Sequence, residues 1–340
     1  MDLHTTRDQD EIIESAQEYL SRELPADRSI TQKDTALSGR QWRGMADMGW
    51  FSMGLSEEAG GLGLSVIEEA LVMREFGRYL APPQALGTML AAHLAVDAGE
   101  TTLAAALASG DRRAAIAVPA QGGTTGGPAT GAYRLVDTDQ ADLAIGWSSA
   151  GAFLAPMDAF IGREVVAPMD ATLQISTAEG LDAGKAVWRS DNDGLFNARA
   201  RVLTAAALTG GAEAVCAVST EYAKVRHQFG KPIGSFQAIA HPLAKMATRN
   251  EAALACLYYA AVCVRDGKPD RDLFTASARS VAYYAGYDNA VASMQIHGGY
   301  GQTYEYMPHF YLKRAMIYGL VGGGVAADEA DVLEADSIII

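Results

Sequence analysis

Residues Tyr222–Met246 read YAKVRHQFGKPIGSFQAIAHPLAKM, a helix end, a tight loop and a helix start in immediate succession. Arg226 closes the first helix, Pro232 and the glycines at 230 and 234 shape the loop, and Ser235 is placed to cap the second helix. An arginine beside a glycine loop and a helix N-terminus suits a phosphate, through fork hydrogen bonds and oriented N–H groups. Phe229 would offer a flat face to a base. The same residues also read as a helix–helix turn with an exposed arginine. Downstream, Gln295–Ala315 reads QIHGGYGQTYEYMPHFYLKRA. Its glycine pair at a helix end either lets a ligand approach the backbone or serves as a simple C-cap.

Around these segments the chain has three textures. Residues 1–110 predict helices. DQDEIIESAQEYLSREL places Ile12, Ile13, Ala16, Tyr19 and Leu20 on one face. Ser65 with Glu68 forms a capping-box signature for a helix that ends before Pro82 and Pro83. LGTMLAAHLAVDAG and TTLAAALASG predict two shorter helices. Residues 111–197 break into AAIAVPA, YRLVDT, ADLAIGWS, AFLAPM, EVVAPM, TLQIST and KAVWRS, separated by Gly, Pro and Asp. That spacing predicts an antiparallel β unit, a small barrel or sandwich. GGTTGGPATG is a turn region that does not match the phosphate-loop pattern. Residues 198–340 predict a four-helix bundle. Its first long helix carries the pair Gly210–Gly211, where another helix should pack closely. The second buries Ile239, Leu243, Met246, Ala253, Leu257 and Val264, with Asn250 needing a partner on that stripe. The third starts at Asp270, shows Leu273, Val281, Tyr284 and Val291 on one face and stops at Gly298, and a fourth follows Pro308. The fold class is α+β.

The 340 residues hold 49% hydrophobic and 20% charged residues, an ordinary globular balance. No apolar run is long enough to predict a membrane span. The acidic start lacks an apolar leader core, which points to the cytoplasm. A net charge of −14 argues against nucleic acid as a partner. Cys216, Cys256 and Cys263 read as core residues in a reducing compartment, without the companions a metal site needs. His227 and His297 read as local hydrogen-bonders and His241 as a core histidine. His4, His93 and His309 have no companions at metal-ligand spacing.

Taken together, R-x-x-F-G-x-P-I-x-x-F-Q (226–237) and Q-I-x-G-G-x-G (295–301) resemble the C-terminal domain of the acyl-CoA dehydrogenase family. SEEAGGLGLS (56–65) is similar to that family's P-E-x-x-G-G-L-G segment, and the helix, β, bundle order resembles its three-domain fold. YEYMPHFYLKRA further resembles a branch with subunits of bacterial enzymes that oxidise CoA esters of sterol side chains. The resemblance implies FAD, with Arg226 and Phe229 on its pyrophosphate and adenine side. It implies that Gln295, Gly298, Gly299 and the polar Gln237 contact the ADP portion, across a subunit interface.

The same resemblance marks what is missing. The family's reaction removes an α proton from an acyl-CoA while a β hydride passes to the flavin, so a carboxylate must reach the α carbon. The usual base lies in a Y-E-G-T stretch shortly after the K-R-A helix. Here YGLVGGG puts Gly322 at that position. Other members use a base at the start of the long helix before the arginine loop, a slot that falls at Ala200, between Arg199 and Arg201. Glu213, thirteen residues on, lies about 20 Å further along a helix. Glu221 is further still, and Glu305 matches a family position that is not the base. The flavin-side segment T-E-P-x-A-G-S-D is not recognisable between Ile116 and Asp142, so the β unit reads as shortened.

This pattern implies a subunit that lends ADP-side contacts to a homologous catalytic chain in an α2β2 acyl-CoA dehydrogenase. The alternatives are a self-sufficient homo-oligomer with a displaced base, and a flavin-free assembly scaffold.

Overall fold

The computed structural model describes residues 4–31, 37–120, 131–149, 151–182, 185, 188–190 and 194–335. Nine of the ten residues of GGTTGGPATG lie outside this set. The N-terminal domain is helical: α1 (Arg7–Glu23), α2 (Arg28–Thr31), α3 (Gly39–Asp47), α4 (Val66–Arg78), α5 (Pro83–Asp97) and α6 (Thr101–Ala108). Caps set their limits. Ser65 and Glu68 form the capping box of α4, and Pro82 and Pro83 open α5, where a missing N–H costs nothing.

The middle region holds β1 (Ala114–Pro119), β2 (Tyr133–Val136), β3 (Leu143–Ser148), β4 (Gly151–Pro156), β5 (Phe160–Ile161), β6 (Glu164–Val166), β7 (Ile175–Ala178), β8 (Gly180–Leu181) and β9 (Trp188–Ser190). Seven of these, each overlapping one of the segments read as β, form one sheet ordered β6-β7-β2-β1-β3-β4-β9, and β5 pairs with β8. Alternation along the strands gives the sheet two apolar faces. Ile116, Ile145 and Leu154 join the main core with α5, while Ala117, Ala144 and Phe153 pack with Tyr133, Phe160 and Leu181. The sheet is mixed where an antiparallel one was expected. β1 runs parallel to β3, with Ala114 opposite Leu143, because β2 leaves β1 for the other side.

The C-terminal domain comprises α7 (Leu195–Val225), the ribbon β10 (His227–Gln228) and β11 (Lys231–Pro232), α8 (Gln237–Arg265), α9 (Arg271–His297), α10 (Pro308–Tyr318) and α11 (Val325–Glu334). α7 is long and apolar enough to cross a membrane by length and composition, yet 78% of its apolar window is buried inside the molecule. It is the core helix. The predicted close crossing occurs with α4: a Cβ at Gly210 would collide with the carbonyl of Arg74, and one at Gly77 with that of Ala207. Asn250 has its partner, accepting from Asn289 Nδ2 at 2.8 Å across the α8–α9 seam.

Four local expectations fail. Ser235 does not cap α8; its hydroxyl donates to the Pro232 carbonyl at 2.7 Å, within a 3₁₀ turn. Asp270 occupies the N-cap of α9 without a side-chain cap bond. The α9 face of Tyr284 and Val291 is exposed, because the helix buries its small residues instead, Ala278, Ala282 and Ala285, and so approaches α7 closely. His241 is exposed.

Candidate functional site

At the C-terminal end of α7, Arg226 leaves helical geometry (φ −77°, ψ 120°) and the chain folds into the β10–β11 ribbon. Phe229 and Gly230 form its two-residue turn, with φ of 53° and 81°. Both central residues must then be left-handed, which usually selects Asn-Gly. A phenylalanine there carries about 1–2 kcal/mol of strain, and its side chain is 92% exposed. Such a residue is held out toward something other than its own core. The ribbon is closed by Ile233 N donating to the Arg226 carbonyl at 2.8 Å.

The end of α9 comes to the same place. Gly298 adopts φ 62°, ψ −139°, a conformation that favours glycine, and a Cβ on Gly298 or Gly299 would meet nothing within 4 Å. Open backbone therefore faces open space. Arg226, Phe229, Gly298 and Gly299 border one cleft of about 560 Å³. Gln237, at the start of α8, and Gln295, near the end of α9, are exposed but do not line it.

Sequence reasoning missed the cleft's aromatic floor. The Arg226 guanidinium stands 5.7 Å from the Tyr300 ring centre, and Tyr222 stacks on His297 at 4.2 Å. Burial holds His297 below the usual imidazole range, so it is neutral, and its Nδ1–H donates to the Ser293 carbonyl at 2.8 Å. The only available signal was the placement of Tyr222 one helical turn before Arg226. A guanidinium, open glycine backbone and flat aromatic faces suit a phosphate joined to a planar ring.

The other candidate position is shut. Gly322, Gly323 and Gly324 have φ of 59°, 88° and 83° and link α10 to α11. A Cβ on Gly322 would fall inside 3.0 Å of both Trp147 Nε1 and Arg279 Nη1. Arg279 is 1% exposed and ion-paired to Asp328, which also accepts from Arg201 Nε at 2.8 Å; Arg201 pairs in turn with Asp331. Among the described residues Trp147 Nε1 and both Arg279 terminal nitrogens have no hydrogen-bond partner. The Trp147 indole N–H and the Arg279 guanidinium thus crowd the position of Gly322.

Ala200 is wholly buried within α7, and its neighbour Arg199 pairs with Glu69, itself 2.6 Å from His93 Nε2. Burial would raise the Glu69 carboxyl, but His93 and Arg199 outweigh it and hold it low. Glu213 is bound by Arg74 at 2.9 Å and Arg78 at 2.6 Å; Glu221 pairs with Lys224 on the surface, and Glu305 is exposed. No group of three metal-ligating side chains occurs among the described residues.

Family models for the acyl-CoA dehydrogenase N-terminal and C-terminal domains match residues 6–106 and 195–328. The acyl-CoA dehydrogenase IpdE2 of Mycobacterium tuberculosis is 32% identical over 289 residues, covering 85% of this chain and 84% of that protein. The chain belongs to the acyl-CoA dehydrogenase family. Acyl-CoA dehydrogenase FadE34 of the same organism is 33% identical over 298 residues, 83% of this chain but only 40% of FadE34. Two solved structures share the fold: butyryl-CoA dehydrogenase from Megasphaera elsdenii (TM-score 0.81, 22% identity, 98% of each chain) and the ChsE4–ChsE5 complex from M. tuberculosis (TM-score 0.80, 24% identity, 99% of this chain and 100% of that one). Family members are FAD-binding oxidoreductases, and the open cleft has the donor set that the ADP end of FAD would need.

Proposed function

We propose that this chain is the non-catalytic subunit of a heteromeric FAD-dependent acyl-CoA dehydrogenase. One observation carries the reading: the cleft at Arg226 is open and strained toward solvent, whereas the position of the catalytic base is glycine under Trp147 and Arg279. Arg226 would pair with the pyrophosphate and Phe229 would cover the adenine side. Gly298 and Gly299 would admit the ribose end, with Gln237 and Gln295 completing the contact from the rim when a partner closes over it. Once bound, FAD supplies a hydride acceptor. The carboxylate for α-proton removal would come from the partner chain, a homologous subunit in an α2β2 assembly. That a chain from a complex, ChsE4–ChsE5, shares this fold supports such an assembly. A sterol side-chain CoA ester is the substrate class we favour, from the likeness of YEYMPHFYLKRA to that branch and the fold shared with a steroid acyl-CoA dehydrogenase, Tcur3481–Tcur3483.

Coexpression with a homologous acyl-CoA dehydrogenase chain that keeps the catalytic carboxylate tests the assignment. We expect one FAD per pair of unlike chains and flavin absorbance only in the complex. Two equivalent flavins per pair, or a flavin in the lone chain that an acyl-CoA reduces, would sink it. The self-sufficient alternative finds little support, since Glu213 is committed to two arginines. A flavin-free scaffold would have no use for a strained, exposed phenylalanine beside an open glycine pair.

A further inference from the structure

We infer that the chain carries a second small-molecule site, for a compact ligand bearing both a carboxylate and an amino or hydroxyl group, between the start of α5 and the sheet. The inference does not depend on the subunit reading. The cavity there measures about 490 Å³, within the usual range for ligand sites, and lies at a domain junction, where such sites concentrate. Its walls come from three places: Pro82 and Gln84 at the head of α5, the β2–β3 loop with Asp137 and Asp139, and the loop between β6 and β7. Arg113, just before β1, closes one side.

Arg113 is 8% exposed, and its guanidinium lies 4.6 Å from the Trp42 ring centre. Among the described residues it makes no side-chain hydrogen bond and no ion pair, although Asp137 and Asp139 line the same cavity. Its donors face the cavity without a protein acceptor, so a ligand anion would be well received there. Asp137 is 6% exposed and firmly positioned. Its Oδ2 accepts from Gln84 N at 3.0 Å, and Gln84 Nε2 donates to the carbonyls of Asp137 (3.0 Å) and Asp139 (2.8 Å). Burial pushes the Asp137 carboxyl up to about 6, and near neutrality it can accept a hydrogen bond from an amine or a hydroxyl.

The cavity thus separates a basic group from two acids that do not neutralise it directly. A ligand that bridges them needs an acceptor at one end and a donor at the other. Leu37, Val165 and Leu173 leave room for a short apolar body between. Acetate or methylamine alone would satisfy half of the site. Trp147, against which Gly322 packs, sits at the other end of β3, so occupancy here is separate from that position.

The test is ligand-observed saturation-transfer NMR and thermal shift on the full chain, coexpressed with its partner where that is needed for yield. The probes are the standard free amino acids, γ-aminobutyrate and 3-hydroxybutyrate, with acetate and methylamine as half-ligands. We expect at least one two-headed probe to bind, both half-ligands to fail, and Arg113→Gln to weaken binding by about tenfold or more. Asp139→Asn, a change at a half-exposed position that should fold normally, is expected to weaken amine-bearing probes while Arg226→Gln leaves all of them unchanged. The inference is overturned if no two-headed probe binds, if acetate binds as well as they do, or if binding survives both Arg113→Gln and Asp139→Asn.

Discussion

The indole Nε1 of Trp147 stands where a side chain at Gly322 would begin, so the position that the family resemblance assigns to the base lacks a side chain and is also crowded from the sheet. A lost carboxylate could in principle be restored by one substitution. Here that substitution would need φ of 59° from a non-glycine residue and the displacement of both Trp147 and Arg279.

Gly322→Glu should therefore destabilise without conferring activity. Left-handed strain of about 1–2 kcal/mol adds to overpacking of about 1–3 kcal/mol. Urea unfolding should show a loss of that order, and acyl-CoA turnover should stay at background. A stable, active Gly322→Glu chain would contradict the closure.

Arg226→Gln tests the open end. The side chain is exposed, so folding stability should hold within about 0.5 kcal/mol. Flavin affinity of the assembled complex should fall by about tenfold to a hundredfold, the worth of a charge-assisted contact. Flavin absorbance after gel filtration and the melting temperature of the lone chain report the two quantities separately.

Phe229→Asn should move those quantities in opposite directions. Asparagine tolerates the left-handed turn, so the lone chain should gain about 1 kcal/mol. The complex should hold FAD less tightly, because the flat face is gone. Equal flavin retention in the variant would mean that Phe229 is not a cofactor contact.

Asp137 predicts a pH signature. Burial raises its folded value from 3.8 to about 6, with Gln84 N and Arg314 opposing and Asp139 and Asp170 adding to the shift. The folded chain then holds a proton that the unfolded chain has released, so stability contributed by this group falls as pH rises from 3.8 to about 6 and is level above. About two pH units correspond to about 3 kcal/mol at most. Asp137→Asn should flatten that part of the stability profile, compared with the parent by denaturant titration across the same range.

Much of this architecture is visible in local sequence, because local chemistry sets it. Ser65 and Glu68 announce a helix start, Gly298 announces a stop, and the short runs bounded by Gly, Pro and Asp announce strands. The cleft is partly visible too, since Arg226, Phe229 and the glycine pair sit in recognisable spacing. What escaped depends on partners distant in the chain. The parallel pairing of β1 with β3 depends on where β2 goes, not on either strand's composition. Tyr284 and Val291 look like core until α9 is seen to prefer alanine against α7. Gly322 marks an absence, but only the fold shows that Trp147, far earlier in the chain, takes up the space. The cavity at Arg113 is assembled from the N-terminal domain and the sheet, and no motif spells it.

The length of α7 sets the relation between the two ends of the molecule. Ala200 lies on the continuous helix that Arg226 caps, about 39 Å away at 1.5 Å per residue. A rigid rod of that length transmits position but no chemistry: side chains at one end are several screening lengths from charges at the other. Substitutions around Ala200 can therefore accumulate while the far end keeps its geometry, held in register by the same buried alanines. Division of labour between unlike subunits requires that kind of independence, and a single uninterrupted core helix provides it.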